Sequence, residues 1–305
     1  MQRVIHVLTG CTAVGKTELA LRWAEARGAE IVSCDSLLFY RGADIGTAKP
    51  TQAELARVPH HLIDIRDVPE QMNVTYYVTL ARAAVDDILR RGRAVLVTGG
   101  SGFYLKSFFA PVADEVAVPA ELRDELRAKL EQKGLAGLVA ELSALNPAGL
   151  GALDVQNPRR VIRALERCLA SGRTLTELQA DFNAQPPAFA DCRVALCELV
   201  REPADLDQRI AQRVDAMLAS GLVAEVEGLL ARGLKQNPSA AQAIGYRETI
   251  DCLEGRLPKA ELAGAIVKNT RALVRKQRTW FKTQLPEHRQ LPAANVSSDD
   301  LFRAP

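Results

Sequence analysis

The residues with the clearest chemical meaning form a glycine loop close to the first residue. Gly10-Cys11-Thr12-Ala13-Val14-Gly15-Lys16-Thr17 fits Gly-x-x-x-x-Gly-Lys-Thr, the P-loop pattern. In a P-loop, successive backbone N–H groups converge on one anion, and the following helix adds its own unpaired N–H groups. Lys16 would place a charge on the outer phosphate, and the Thr17 hydroxyl would hold Mg²⁺ or a phosphate oxygen. The pattern therefore predicts a site for a diphosphate or triphosphate.

The segments on either side of the loop have the form that a P-loop requires. Residues 4–8 are a short apolar run typical of a buried strand, and residues 18–26 carry apolar side chains at helical spacing. A chance glycine turn would not bring both elements with it. We therefore interpret strand, loop and helix as one phosphate-binding unit, although the loop does not identify the reaction.

Asp35 is a second candidate, because it directly follows the apolar run 30–34. Ligands of open α/β sheets lie beyond the carboxyl ends of the strands, so Asp35 is placed beside the phosphate loop if the two strands are neighbours. The alternative is structural, since Asp35-Ser36 before Leu37 would suit the N-cap of a helix. The local sequence leaves both roles open.

Further apolar runs predict the rest of a parallel sheet. Strands are expected at residues 59–65 and 94–98, with an amphipathic helix at 78–91 between them. The strand at 94–98 leads into a second glycine turn, Gly99-Gly100-Ser101-Gly102. It ends in Thr98, whereas motor-type P-loop ATPases hold Mg²⁺ through an Asp at this position. The difference favours a small transferase or kinase.

The middle of the chain lacks strand patterns. Helical spacing recurs at residues 120–133, 135–145, 159–170 and 174–180, and a strand pattern returns at 193–200. We therefore predict an α/β fold in which a P-loop parallel-sheet core, residues 1–112 and 193–305, carries an inserted all-helical domain, residues 113–192. Arg159, Arg160 and Arg163 lie in the first turns of one helix, where they oppose the helix dipole. An anionic partner and a solvated surface both explain them.

One stretch of the chain is strongly basic, although the net charge is only +2. Residues 268–282 contain no acid, and Arg271, Arg275, Arg278 and Lys282 recur at helical spacing along one stripe. A polyanion partner and an ordinary solvated face remain equal alternatives for this stripe. The residues after Leu291 are polar, and we expect them to be frayed.

Composition limits the class of protein. The chain has 305 residues, of which 48% are apolar and 25% charged, as in soluble globular proteins. No apolar run approaches the roughly twenty residues of a membrane span, and the strand pattern at Val4 leaves no signal peptide, so we expect a cytoplasmic protein. The six cysteines lack C-x-x-C spacing and the four histidines lack metal-ligand spacing, which predicts reduced thiols.

Taken together, these stretches resemble the tRNA dimethylallyltransferases, also called tRNA isopentenyltransferases. Besides the P-loop, the resemblance rests on the following segments: Asp35-Ser36-Leu37-Leu38-Phe39-Tyr40-Arg41-Gly42, Asp44-Ile45-Gly46-Thr47-Ala48-Lys49-Pro50, His60-His61-Leu62-Ile63-Asp64, Gly99 to Tyr104, Asn157-Pro158-Arg159-Arg160-Val161, Ala243 to Glu248, and Arg275-Lys276-Gln277-Arg278-Thr279-Trp280-Phe281. Cys11, Val14, Ser101 and Leu38 depart from the commonest residues of the family, which are proline, serine, threonine and glutamine.

The resemblance implies the transfer of a dimethylallyl group from dimethylallyl diphosphate to the N6 amine of the adenosine 3′-adjacent to a tRNA anticodon. Asp35 would take the amine proton, with Ser101 and Lys16 as further catalytic residues and Mg²⁺, held by Thr17, as the cofactor. The diphosphate would be bound by Gly10, Cys11, Thr12, Ala13, Val14, Gly15, Lys16, Thr17, Arg209 and Arg213. The anticodon stem-loop would be bound by Asp35, Ser36, Leu37, Leu38, Ser101, Arg123, Gln156, Asn157, Pro158, Arg159, Arg160, Arg271, Arg275 and Arg278. We expect a monomer without a membrane partner.

Three other functions share part of this pattern. A nucleotide or small-molecule kinase would explain the P-loop but has no need of the helical insertion or the basic stripe. An adenylate isopentenyltransferase would share the core chemistry without a grip on RNA. A non-catalytic RNA-binding protein would leave the complete P-loop and Asp35 without a purpose. Assays with labelled dimethylallyl diphosphate and either tRNA or AMP as acceptor separate the first two from the family reaction.

Overall fold

The computed structural model describes residues 3–113 and 116–303, which form two compact units. The first unit comprises Met1–Val112 and Pro187–Pro305, and the second comprises Ala113–Pro186. No helix in the described ranges is both long enough and apolar enough to span a membrane.

The first unit is built on a six-stranded sheet in the order β3-β2-β4-β1-β5-β6, with every pair parallel. The strands are β1 (Val4–Gly10), β2 (Glu30–Ser33), β3 (His60–His61), β4 (Val95–Thr98), β5 (Arg193–Val200) and β6 (Arg289–Pro292). The Val95–Val97 run of β4 is apolar and fully buried, as expected for a central strand of a parallel sheet. The predicted α/β fold with a parallel-sheet core is confirmed.

Twelve α-helices complete the described part of the chain. They are α1 (Lys16–Arg27), α2 (Gln52–Arg57), α3 (Val74–Arg90), α4 (Gly102–Lys106), α5 (Ala120–Leu145), α6 (Pro158–Ser171), α7 (Leu175–Ala184), α8 (Pro203–Ala219), α9 (Leu222–Ala231), α10 (Pro238–Ala241), α11 (Tyr246–Leu253) and α12 (Leu262–Gln284). Short 3₁₀ turns occupy Leu234–Gln236, Lys259–Glu261 and Ser298–Asp300. The basic stripe lies on α12, as its spacing predicted.

The second unit contains α5, α6 and α7 and, among its described residues, no strand. Gly134 interrupts α5 with a φ of 67°, which divides it at the point where two successive helices were predicted. Asn157 caps α6 by accepting hydrogen bonds from the Arg159 and Arg160 N–H groups. Leu126, Leu138 and Leu165 belong to the apolar core of this unit.

The strand order corrects one premise about Asp35. β1 and β2 are not neighbours, because β4 pairs with both and lies between them. Asp35 nevertheless lies near the P-loop, because the end of β2 packs directly against the glycine turn that follows β4. The Cys34 N–H donates to the Thr98 carbonyl at 2.8 Å, and a Cβ on Gly99 would overlap the Cys34 carbonyl.

The helix-cap interpretation of Asp35 is wrong. Asp35 is followed by turns, and its Oδ1 accepts a hydrogen bond of 3.0 Å from the Leu37 N–H. The segment after it is held by another part of the chain: Arg66 donates to the Phe39 carbonyl, and Arg41 donates to the Arg66 carbonyl. These long-range backbone bonds compete with the helix that the local sequence favours.

The expectation of a frayed tail is also wrong. Residues 289–292 form β6 and extend the sheet beyond β5. Farther along, Leu301 is buried, and the Phe302 ring lies 4.9 Å from the His6 ring and 5.1 Å from the Trp23 ring. The apolar side chains of this tail are few and widely spaced. Its composition therefore did not indicate that the tail packs against α1.

We expect Leu301→Ala to lower the free energy of unfolding by about 2–4 kcal/mol, because it leaves a cavity in the packing between the tail and α1. Chemical denaturation of the full chain measures this change. Leu253→Ala is the matched control, since Leu253 is 38% exposed and its loss should cost less than about 0.5 kcal/mol. Equal effects of the two substitutions would mean that the tail contributes nothing to stability.

Candidate active site

The P-loop presents unpaired backbone donors at the carboxyl end of β1. Two of its N–H groups are used within the fold, because Val14 donates to the Cys11 carbonyl and Thr12 donates to Gln277 Oε1. The N–H groups of Ala13, Gly15, Lys16 and Thr17 have no acceptor in the described part of the chain. Ala13 adopts a left-handed φ of 65°, a strained conformation that turns the loop around the space these donors face. The loop therefore has the form of an anion cradle.

Arginines from β5 and α8 support the loop from its carbonyl side. Arg209 Nε donates to the Ala13 carbonyl at 2.8 Å, and Arg201 Nε donates to the Val14 carbonyl at 3.1 Å. Arg213, one turn after Arg209, donates to the Thr47 carbonyl at 3.4 Å. The structure thus brings Arg209 and Arg213 to the P-loop. Arg201, which the sequence analysis did not single out, joins them from the end of β5.

Lys16 lies folded over the loop. Its Nζ donates to the Gly10 and Cys11 carbonyls at 2.8 and 3.0 Å. Burial lowers the pKa of Lys16 to about 8, while the nearby Asp35 carboxylate opposes the shift and Arg213 adds to it. Burial likewise lowers the pKa of Arg213, again opposed by Asp35. Two cations and one carboxylate therefore share a partly desolvated site, where an added anion gains strong electrostatic stabilisation.

Two cavities meet at this site. The first cavity, of about 670 Å³, is lined mainly by apolar side chains and backbone from α4, α8 and α12 and by the segment before α11. The second cavity, of about 740 Å³, is lined by part of the P-loop, including Lys16 and Thr17, and by Arg209. Thr12, Asp35, Thr47 and Arg213 line both cavities. Asp35 thus stands where an apolar chamber and a cationic phosphate chamber join.

Ser101 holds the two strand ends together on the side of the first cavity. Its Oγ accepts a hydrogen bond of 2.9 Å from the Ser36 N–H, and its own N–H donates to the Cys34 carbonyl. The hydroxyl proton of Ser101 remains available, because this hydroxyl acts only as an acceptor in that bond. Asp35, Ser101 and Lys16, the three predicted catalytic residues, therefore lie at neighbouring strand ends of one unit.

Gln277 is a contributor that received no role in the sequence analysis. Its side-chain amide accepts from the Thr12 N–H at 3.0 Å and donates to the Gly100 carbonyl at 3.1 Å. One side chain of α12 therefore ties the P-loop to the second glycine turn. Gln277 lies within the Arg-Lys-Gln-Arg segment that carried part of the family resemblance, so the motif was visible but the function of its glutamine was not.

Glu225 of α9 holds the Asp44 to Pro50 segment in its conformation. Its carboxylate accepts hydrogen bonds from the Asp44, Ile45 and Gly46 N–H groups and from the Tyr246 hydroxyl. Lys49, almost fully buried, closes the other side of the segment through ion pairs with Asp44 and Asp64. This segment is thus a rigid loop that delivers Thr47 to both cavities. No local pattern around Glu225 indicated this, because the sequence of α9 does not distinguish Glu225 from the nearby Glu227.

The departures at Cys11 and Val14 lie on the buried side of the P-loop. Both side chains are buried, and the Cys11 thiol faces the Val274 carbonyl at 3.8 Å. The second cavity includes neither residue. Anion contact at these two positions is therefore left to the backbone. Leu37 and Leu38 line different cavities: Leu37 lines the first cavity and Leu38 lines the second.

Oxygen ligands suited to Mg²⁺ lie in the second cavity. The Thr17 hydroxyl and the Asp35 carboxylate line it, and so does Ser33, whose buried Oγ has no hydrogen-bond partner among the described residues. Residues 3–113 and 116–303 hold no cluster of three His, Cys, Asp or Glu side chains that could bind a metal. Mg²⁺ typically keeps several waters and uses one or two protein oxygens plus substrate phosphates, so these residues fit a hydrated ion.

The stripe on α12 is exposed but partly neutralised. Arg271 pairs with Asp207 of α8 at 3.3 Å, and Arg278 donates to the Arg201 carbonyl at 3.0 Å. Arg275 is exposed between them. The residues predicted to bind tRNA from the second unit lie on its surface: Arg123, Gln156, Pro158, Arg159 and Arg160 are exposed, and Asn157 is half-buried as the cap of α6.

Comparison with known proteins identifies the family of this chain. A model of the IPP transferase family matches residues 38–284. A tRNA dimethylallyltransferase of Opitutus terrae is 67% identical over 290 residues, which is 95% of this chain and 93% of that protein. Another, from Deinococcus radiodurans, is 40% identical over 95% of this chain and 94% of that protein.

Solved structures show the same relationship. A tRNA isopentenylpyrophosphate transferase from Bacillus halodurans is 32% identical, with a TM-score of 0.68 over 98% of this chain and 92% of that chain. A eukaryotic dimethylallyltransferase acting on tRNA is 26% identical, with a TM-score of 0.83 over 96% of this chain and 74% of that chain. The match to the family model and the identity to these relatives show that the chain belongs to the IPP transferase family.

Proposed function

We propose that this chain transfers a dimethylallyl group from dimethylallyl diphosphate to the N6 amine of the adenosine 3′-adjacent to a tRNA anticodon, releasing diphosphate. The observation that carries the proposal is the position of Asp35, at the junction of a cationic phosphate cavity and an apolar cavity. A kinase with a small polar acceptor would leave the apolar first cavity without a role. Membership of the IPP transferase family supports the same choice.

The diphosphate end of the donor fits the second cavity. The free N–H groups of the P-loop, Lys16, Arg209 and Arg213 would contact its oxygens and stabilise the charge that develops as the allylic carbon–oxygen bond breaks. Mg²⁺, held by Thr17 and the phosphate oxygens, would neutralise further charge on the leaving group. The dimethylallyl group would extend toward the apolar residues of the first cavity.

Asp35 is placed to act on the acceptor. The adenine amine is a weak nucleophile, because its lone pair is delocalised into the ring. As its nitrogen bonds to the allylic carbon, the amine proton passes to the Asp35 carboxylate and the electron pair of the broken bond leaves with diphosphate. Ser101, at the neighbouring strand end, would donate its free hydroxyl proton to orient the reacting groups.

The adenosine would reach Asp35 through the first cavity. A base inside a stack cannot expose its N6 amine to such a chamber, so the nucleotide must swing out of the anticodon loop. The exposed arginines of α12 would hold the phosphates of the stem-loop, and the exposed residues around Arg123 and Arg160 would add contacts from the second unit. With tRNA as the acceptor, we propose a cytoplasmic enzyme that acts as a monomer.

Changing Arg271, Arg275 and Arg278 together to Ala should weaken tRNA binding and flatten its salt dependence, because fewer counterions are released on binding. The affinity for dimethylallyl diphosphate should stay near wild type. Titrations of tRNA at several salt concentrations measure the effect. A triple substitution of Arg41, Arg90 and Arg256 is the control, since it removes the same charge from exposed arginines elsewhere in the first unit. If both triple variants weaken tRNA binding equally, the stripe contributes only through the net charge of the protein and not through direct contacts with tRNA.

The reaction itself is tested with radiolabelled dimethylallyl diphosphate offered to the purified full chain with either total tRNA or AMP. We expect label in tRNA and little in AMP, with release of diphosphate. Nuclease digestion should recover the label on a single adenosine derivative. Preferential labelling of AMP would assign the chain to the adenylate isopentenyltransferases, and transfer of phosphate from ATP to a small acceptor would restore the kinase alternative.

A further inference from the structure

Phe103 is an exposed aromatic side chain that the mechanism does not use. It lines the first cavity and is 54% exposed, which places it at the rim rather than inside. Tyr76, the other large aromatic that is exposed, is covered by the Arg66 guanidinium at 4.3 Å. Within residues 3–113 and 116–303, Phe103 has no ring or cation against its face.

The backbone that carries Phe103 is rigidly held. The next residue, Tyr104, is buried and stacks on Tyr77 at 4.5 Å with an interplanar angle of 13°. The preceding residue, Gly102, packs so closely that a Cβ there would lie 2.7 Å from the Trp280 ring. The backbone of Phe103 is therefore held in place, and a partner that binds the ring needs to order only its two side-chain torsions.

The surroundings of Phe103 are apolar and cationic. Trp280 and the exposed Lys276 line the same cavity, and the exposed Arg275 directly precedes Lys276 on α12. A planar aromatic face next to positive charge is the combination with which proteins bind single-stranded nucleic acid, where bases stack and phosphates pair with cations. Acidic side chains, which would repel a backbone phosphate, are limited to Asp35 among the residues that line this cavity.

Extrusion of the target adenosine leaves a neighbouring base of the anticodon loop without a stacking partner, which an aromatic side chain can replace. We propose that Phe103 stacks on this flanking base at the rim of the first cavity and takes the place of the extruded adenine. The inference rests on the proposed function, because it assigns one contact of the tRNA bound at that site.

The test uses an anticodon stem-loop RNA with 2-aminopurine at either flank of the target adenosine, since this base fluoresces weakly when stacked and strongly when unstacked. With wild-type protein at saturation and no donor, one flank should stay quenched. Phe103→Ala should brighten that flank and weaken binding by roughly 5- to 100-fold, the range expected for one lost base–aromatic stack. Phe103→Trp should restore both readouts, whereas Phe103→Leu should restore neither the quenching nor full affinity.

Two controls separate this contact from a structural effect. Leu253→Ala removes another exposed apolar side chain, outside both cavities, and should leave affinity and fluorescence unchanged. The KM for dimethylallyl diphosphate and the melting temperature should stay near wild type in Phe103→Ala. Wild-type affinity and quenching in Phe103→Ala, while the wild-type protein prenylates the stem-loop, would overturn the inference alone. A wild-type protein that neither binds nor prenylates the stem-loop would overturn the proposed function as well.

Discussion

Asp35→Asn is expected to lower the rate of prenyl transfer by about a hundredfold or more, because Asn cannot accept the amine proton at neutral pH. The Asn side-chain oxygen can still accept the hydrogen bond that the Leu37 N–H gives to Asp35, so the turn after β2 should persist. The melting temperature and tRNA affinity should therefore stay near wild type. Single-turnover kinetics with saturating tRNA and donor isolate the chemical step.

The control for this change is Asp67→Asn, which neutralises an exposed acid that pairs with Arg41 outside both cavities. It should leave the single-turnover rate unchanged. Asp35→Ala should match Asp35→Asn in rate and also lose the turn bond to Leu37. A wild-type rate in Asp35→Asn would show that another group accepts the proton.

Lys16→Ala should raise the KM for dimethylallyl diphosphate by roughly tenfold to a hundredfold, the loss expected for a charge-assisted contact in a partly desolvated site. The fold should survive, because Lys16 lines the second cavity and water can enter there to replace its bonds to the Gly10 and Cys11 carbonyls. Lys235→Ala removes an exposed lysine that lines neither cavity and serves as the control. An unchanged KM in Lys16→Ala would remove this lysine from phosphate binding.

The pKa of Lys16, about 8, adds a pH dependence to the same experiment. Below this pH the ammonium group is charged and attracts the diphosphate, whereas above it the amine is neutral. The donor KM should therefore rise as the pH increases through 8 and beyond. Lys16→Arg should flatten this rise, because a guanidinium group stays charged over the whole range.

Short-range patterns in the sequence were enough for much of this protein. The P-loop needs a strand, a glycine turn and a helix in direct succession, so the local order alone predicts a phosphate site, and the structure has these three elements in that order. Helical spacing located α5, α6 and α12, and apolar runs located β1, β2, β4 and β5, because burial imposes these periods on neighbouring residues. The ordered motifs also identified the family, which the comparisons confirm.

The features that only the tertiary structure decided all depend on residues distant in the chain. Asp35 lies at the junction because β4 lies between β1 and β2 and because Gly99, which has no side chain, lets the Cys34 backbone pack against the turn after β4. No local sequence pattern contains this strand order. Glu225 and Gln277 act on loops far from them in sequence, where only folding brings donor and acceptor within hydrogen-bond distance. The tail was mispredicted for the same reason. Its few apolar side chains gain their stability from long-range packing against α1, which composition does not record.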